Sequence, residues 1–237
     1  MTLRRSAAYG LGGVAAAVGA ATYAVYAGHE WLRYGHPPPP AEDDADELLD
    51  RFMPTFDVVE RHHLHVAAPA DVTYAASTEM DLQDSAIVRA IFRARELALG
   101  ADDDPKTPSG GLVAVTTALG WRVLVDVPGR EIVLGAVTQP WMPNPVFRGL
   151  PPEEFASFAE PGFVKIIWNL RADPKGPAQS IARTETRAVA TDSKARTAFS
   201  RYWTFVSPCI WLIRELGLHL VKKDAEGRDW RAAARRA

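Results

Sequence analysis

The chain has 237 residues, of which 47% are hydrophobic, and its 27 Lys and Arg nearly balance its 29 Asp and Glu. That length is sufficient for one domain with a buried core, and the near-neutral charge argues against nucleic acid as a partner. The single cysteine, Cys209, excludes an internal disulfide, and its apolar neighbours predict a buried thiol.

The amino terminus predicts a membrane-associated segment over residues 1–35. Residues 6–28 carry no charge, follow two arginines, and are long enough to cross a bilayer as a helix. An uncleaved anchor, a cleaved signal peptide and a twin-arginine export signal all fit this pattern. We favour the anchor, because the segment ends in aromatic residues that suit a membrane interface, namely Tyr23, Tyr26, Trp31 and Tyr34.

The two arginines, Arg4 and Arg5, predict that the amino end stays in the cytoplasm. The domain that follows is then expected on the extracytoplasmic side, with export after cleavage and a cytoplasmic location as the alternatives. Residues 36–56 combine prolines at 37–40 with an acidic run at 42–47, which predicts a stiff, then solvated linker.

The domain is predicted to open with a strand at 57–66, a short helix at 69–77 and a longer helix at 85–99. On the strand, His63 and His65 face one way and His62 faces the other. No acidic or cysteine partner stands at a recognisable spacing, so we expect an exposed histidine pair and no metal. The aspartates at 102–104 lie among prolines and glycines, which predicts a solvated loop that acts as a lid.

A hairpin follows, with Pro128 and Gly129 at its turn. A symmetric loop aligns three inward pairs, which are Trp121 with Ala136, Val123 with Leu134 and Val125 with Ile132. The opposite face is more polar and is expected to meet water. The loop 140–145 places Trp141 and Met142 between prolines, which fits a gate, a membrane-touching tip or a broken edge strand.

Two more strands are predicted between 163 and 190. The first alternates cleanly, with Val164, Ile166, Trp168 and Leu170 facing inward. The second is harder to orient, and we place its small residues inward because unpaired buried charge is costly: Ala182, Thr184, Thr186 and Ala188. Its Arg183, Glu185 and Arg187 are then expected on a solvated face, the alternative being a charged ladder that lines a polar cavity.

The last predicted element is an amphipathic helix at 191–223, with Thr191 or Asp192 as its N-cap. Its apolar residues recur at spacings of three and four, from Phe199 to Leu220. Pro208 is expected to bend the helix or to divide it. Residues 224–237 are predicted as a basic tail.

This order of elements resembles the START-like superfamily, also called SRPBCC or Bet v 1-like, which has the α+β helix-grip fold. The resemblance covers residues 57–223 and rests on diffuse motifs. These are the opening strand with the residues 66–72 at its end, the hairpin 127–134, and the segments 163–170 and 184–187. It implies an antiparallel sheet that wraps around a long carboxy-terminal helix and encloses a cavity. It identifies no catalytic residue and implies no cofactor.

The leading functional hypothesis is a single-pass, membrane-anchored domain that binds a small hydrophobic molecule or lipid, for transport or sequestration. The predicted cavity residues are Trp121, Val123, Leu134, Ile166, Trp168, Thr184, Trp203, Val206 and Ile210. An enzyme of the polyketide cyclase or dehydrase type is the second hypothesis, with Glu60, His62 or Glu185 as acid/base candidates if their strands turn inward. The third is a ligand-free interaction module that uses the Trp141 loop or the basic tail. No catalytic motif decides between them.

Overall fold

The computed structural model describes residues 19–39, 41, 44–81, 87, 89–90, 93, 100 and 110–235. Five strands form one antiparallel sheet in the order β1-β5-β4-β3-β2. The strands are β1 (Val58–Val66), β2 (Arg122–Val127), β3 (Glu131–Thr138), β4 (Val164–Gly176) and β5 (Gln179–Ala190). The helices are α1 (residues 19–33), α2 (Glu47–Phe52), α3 (Ala70–Glu79), α4 (Leu112–Ala118), α5 (Pro152–Ser157) and α6 (Ser193–Ala234).

The arrangement confirms the predicted α+β helix-grip fold, because one antiparallel sheet packs against a long carboxy-terminal helix. The predicted strand at 57–66 and the helix at 69–77 are present as β1 and α3. The predicted helix at 85–99 and the aspartate loop at 102–104 lie mostly outside the described residues. Only 87, 89, 90 and 93 of that helix are described, and they are helical.

The face of the sheet that carries Leu134 and Trp168, here called the inner face, packs against α3, α4 and α6. Its core falls into three clusters, centred on Trp168 with Leu134, on Phe199 with Trp203, and on Val221 with Val66. Alternation along β4 is as predicted, since Val164, Ile166, Trp168 and Leu170 all join these inner clusters.

The opposite face, here called the outer face, is also buried, and the prediction that it meets water is wrong. Leu49 and Phe52 of α2 and Phe155 of α5 pack there against Val133 and Ile167. Every residue of β3 is consequently buried. The sequence pattern missed this because α2 and α5 are short helices of six residues each, too short to show an apolar period.

The hairpin turn forms as predicted, with Arg130 N donating to Val127 O at 3.0 Å and Gly129 at φ 76°. The pair Val123–Leu134 is also correct. A β-bulge at Leu124 then shifts the register, so that Val125 pairs with Val133 instead of Ile132. Val125 therefore packs on the outer face, which corrects its predicted inward orientation.

On β5 the predicted orientation is correct, since Ala182 and Ala188 join inner clusters. The predicted solvation of its charged residues is wrong, because Glu185 and Arg187 are 6% and 2% exposed. The acidic segment predicted as a solvated linker supplies the cover. Asp44 pairs with Arg183 at 2.9 Å, and Asp50 pairs with Arg187 at 2.5 Å.

Helix α6 begins after Asp192, whose Oδ1 accepts a hydrogen bond from Ala195 N at 2.8 Å, so Asp192 is the N-cap. The helix runs through Pro208 without interruption and continues to Ala234, across most of the segment predicted as a basic tail. Its last turns are tied to the domain by Glu226 Oε1, which accepts from Ala67 N at 2.9 Å, and by Arg228 beside Glu79.

Helix α1 packs against the first half of α6. Tyr34 meets Phe199 edge to face with centroids 6.1 Å apart, and Trp203 Nε1 donates to Glu30 Oε2 at 3.3 Å. Three of the four aromatic residues predicted at a membrane interface thus contact the domain, namely Tyr23, which donates to Phe205 O, Tyr26 and Tyr34. Within the described part of the chain, one helix is long and apolar enough to span a bilayer, the α6 stretch Ser193–Ala232, which here contacts the sheet.

Candidate functional site

A cavity of about 420 Å³ lies along β1, the edge strand of the sheet. Its walls come from α1, from the segment between α1 and α2, from β1 and from α6. The walls are mixed in character, with aromatic rings and charged groups together: Tyr26, Glu30, Arg33, Glu60, Arg61 and Trp211. The cavity is therefore suited to a molecule with both an apolar and a polar part.

Glu60 is the buried carboxylate of this cavity. Strand alternation turns Val58, Glu60 and His62 toward the inner face together. Tyr26 donates a hydrogen bond from its hydroxyl to Glu60 Oε1 at 3.0 Å, and the residue is only 8% exposed. A carboxylate held in this way has one oxygen fixed by a donor and the other directed at its strand neighbour, His62.

His62 lies between two glutamates. Its Nδ1 is 2.9 Å from Glu215 Oε1, and its Nε2 is 3.4 Å from Glu60 Oε2. The Nδ1 contact is a hydrogen bond, whereas Nε2 is buried without a hydrogen-bond partner among the described residues. With the ring proton on Nδ1, the lone pair of Nε2 faces Glu60.

Arg214 places a cation beside the side chains of Glu60 and His62. Its Nη2 donates to Thr186 Oγ1 at 2.9 Å, and its guanidinium carbon lies 4.9 Å from the centroid of the Trp168 ring. Burial lowers the pKa of Arg214 to about 10, and the nearby Glu60 opposes part of that change. The guanidinium remains charged at neutral pH and balances part of the negative charge of Glu60. Trp211, Arg214 and Glu215 reach this region together because they are three and four residues apart on α6.

The nine residues predicted to line a ligand cavity fall into different environments. Leu134 and Trp168 are buried in one inner cluster, with Trp121 and Val123 at its margin. Trp203 is buried in a second cluster, which Ile166 and Ile210 join. Thr184 donates to Asn169 O at 2.8 Å and lines a small cavity of about 20 Å³, and Val206 is half-buried. None of the nine lines the cavity beside β1, so their assignment remains a prediction.

The three acid/base candidates of the second hypothesis do not all point toward the inner face. Glu60 and His62 do turn toward the inner face, whereas Glu185 turns outward and binds Arg61 and Arg187. His63 and His65 are exposed, as expected. Sequence reasoning missed Tyr26, Arg214 and Glu215. The sequence marks them only weakly. The visible feature is the charged pair Arg214 and Glu215 inside an otherwise apolar stretch of helix.

A second polar cluster lies on the outer face. Asn169 Nδ2 donates to Asp46 Oδ2 and to Glu131 Oε1, both at 2.8 Å. Burial, together with the neighbouring carboxylate of Asp46, raises the pKa of Glu131 to about 8, while Asn169 and Arg171 oppose the change. Asp46 also caps α2 by accepting from Leu49 N at 2.9 Å. This cluster joins α2 to the sheet, which is a structural role.

No family model matches the chain, and no curated protein matches its sequence. Similar solved structures include a norcoclaurine synthase point mutant from Thalictrum flavum with a transition-state analogue, at 11% identity and a TM-score of 0.34, covering 72% of this chain and 94% of that one. A complex of the same enzyme with dopamine and hydroxybenzaldehyde has 12% identity and a TM-score of 0.25, with coverages of 70% and 84%. The Zhui aromatase/cyclase from a Streptomyces species has 15% identity and a TM-score of 0.24, with coverages of 72% and 94%.

Proposed function

We propose that the protein binds a small organic molecule with an apolar or aromatic body in the cavity beside β1. The observation that supports this proposal is the cavity itself, whose volume of about 420 Å³ lies in the usual range for small-molecule sites. The sequence predicts a hydrophobic ligand, and we now propose that this ligand also carries a polar group.

The walls suggest how such a ligand is held. The rings of Tyr26 and Trp211 offer apolar contact, and Trp211 is 43% exposed. Arg61 donates to Glu185 and to Pro38 O, but its Nη2 is buried without a hydrogen-bond partner among the described residues. We infer that an acceptor on the ligand pairs with this group, because a buried donor left unpaired is costly.

An enzyme of the cyclase or dehydrase type is the second candidate. It is favoured by the inward orientation of Glu60 and His62, since acid/base chemistry needs a titratable group at the cavity wall. The third hypothesis, a ligand-free interaction module, would be favoured by a cavity too small for any ligand, and the volume of the cavity beside β1 gives it no such support.

We also propose that residues 1–18 and the start of α1 attach the protein to a membrane, with the domain on the extracytoplasmic side. Support comes from the uncharged run at 6–28 after Arg4 and Arg5. On α1, Val25 and Leu32 are 74% and 79% exposed, so two apolar side chains of this helix are uncovered.

Native mass spectrometry of the full chain, purified from its own host, tests the ligand proposal. We expect a small molecule to co-purify, and we expect Trp211→Ala to weaken its retention roughly tenfold, because a large ring contact is lost. Trp230→Ala is the matched control, since Trp230 lies on the same helix, is 71% exposed and does not line the cavity. Repeated recovery of empty protein, or equal loss in the two variants, would count against the proposal.

A further inference from the structure

We propose that Glu60 is a general base for a ligand in the cavity and that His62 and Glu215 hold and receive its proton. The inference rests on the proposed function, because it requires a small molecule in the cavity beside β1. It adds a chemical role to that site and a class of substrate, namely a small aromatic or carbonyl compound with an acidic C–H bond.

The first support is the order of the three side chains from cavity to solvent. Glu60 lies in the cavity wall, His62 is 3% exposed behind it, and Glu215 is 35% exposed on the far side. His62 Nδ1 is hydrogen-bonded to Glu215 Oε1 at 2.9 Å, and His62 Nε2 lies 3.4 Å from Glu60 Oε2 without forming a hydrogen bond. A purely structural histidine is normally satisfied at both ring nitrogens, whereas Nε2 of His62 is not.

The second support is the division of roles that this geometry imposes. Glu215 can accept the Nδ1 proton of His62, and in that tautomer the Nε2 lone pair faces Glu60. Tyr26 holds the other oxygen of Glu60 in place. When Glu60 has taken a proton from a ligand, His62 can receive it at Nε2 and become an imidazolium between two carboxylates, which stabilise its charge.

The third support is a cationic hydrogen-bond donor that can stabilise the negative charge that proton removal creates on the ligand. Arg61 lines the same cavity as Glu60, and its buried Nη2 has no hydrogen-bond partner among the described residues. A guanidinium donor beside the reacting group stabilises an oxygen that gains charge. A carboxylate base and a guanidinium with one unpaired nitrogen, Arg61 Nη2, around one cavity define the substrate class given above.

The ring opening of nitrobenzisoxazole provides a probe that needs no knowledge of the natural ligand. Glu60 would remove the carbon-bound proton, and the C–H bonding pair would become the additional π bond of a nitrile. The N–O bond then breaks, and the oxygen leaves as a phenolate, whose absorbance reports the rate. The proton passes to His62 and returns through Glu60 to water after the product has left, so that atoms and charge balance.

The test compares full-length wild type, Glu60→Gln, His62→Gln and Glu160→Gln, with probe binding measured separately by equilibrium dialysis. We expect wild type to exceed the rate in acetate at equal carboxylate concentration. Glu60→Gln should lose on the order of a hundredfold in rate, because general-base catalysis commonly contributes that much. Glu160, which is 53% exposed and paired with Arg148, should be replaceable without effect.

His62 is a positioning residue, and its test needs a measurement that a structural role would not move. We expect the rate of His62→Gln to fall and then to rise with added imidazole, while wild type does not respond to that buffer. Binding of the probe without acceleration, or equal rates for Glu60→Gln and Glu160→Gln, would overturn the acid/base role and leave the binding proposal standing. Failure of the probe to bind would count against both.

Discussion

At the scale of single residues, burial of charge is the feature that sequence patterns describe least well. The orientation of β5 could be predicted from the size of its residues, because Ala182 and Ala188 fit against α6. The burial of Glu185 and Arg187 could not be predicted, because the residues that cover them belong to a segment more than a hundred residues earlier in the chain. Glu60 and His62 could be named only conditionally, since their partner Glu215 lies on the last helix.

Glu131 provides a prediction on pH dependence. Its raised pKa means that the folded state keeps a proton that the unfolded chain has lost, so this group contributes most to stability below about 4.5. That contribution is lost as the pH rises through about 8. We expect Glu131→Gln, which keeps an oxygen for Asn169, to flatten this decline in the free energy of unfolding. Denaturant titrations across that range measure it, with Glu160→Gln as control; an unchanged slope would show that Glu131 is ionised in the folded state.

At the scale of elements, the long periodic ones could be predicted and the short ones could not. β1, α3, the hairpin strands, β4, β5 and α6 follow from alternation or from helical spacing. The bulge at Leu124 could not, because two β-branched neighbours give no sign of an inserted residue. Helices α2, α4 and α5 are six or seven residues long, so tertiary packing rather than their own pattern determines them.

Helix α2 allows a test at the level of one element. Its segment has the composition of a solvated linker, but its apolar side chains are buried in the core. Leu49 is 0% exposed and packs with Phe155 and Val133. We expect Leu49→Ala to lower the free energy of unfolding by about 2–5 kcal/mol, as for other buried leucines. Leu32→Ala, at a residue 79% exposed, is the control and should change little. A neutral Leu49→Ala would mean that residues 36–56 do behave as a free linker.

At the scale of the whole molecule, the fold could be predicted, whereas the cavity beside β1 could not. The ligand cavity predicted on the inner face under Trp168 remains a prediction, and the side chains there form clusters. The cavity beside β1 lies where α1 and the acidic segment contact the edge strand. A segment treated as a separate anchor and linker thus supplies part of the candidate site, which sequence periodicity within the domain cannot indicate.

Membrane attachment is a further prediction for the whole chain. We expect the full-length protein to stay in the membrane fraction after alkaline washing. Ala15→Asp should release much of it, because a carboxylate at the centre of a spanning helix costs about 2.5–3.5 kcal/mol. Val146→Asp, at a residue 79% exposed in a loop of the domain, is the control and should not change the distribution. Release of wild type by the wash would contradict the anchor.

The most direct test of the central claim is an experimental structure of the full chain with its co-purifying ligand bound. We expect density for that ligand along β1, in contact with Trp211 and Tyr26 and within hydrogen-bond distance of Glu60. Density beneath Trp168 and Leu134, with the cavity beside β1 closed by side chains, would contradict it.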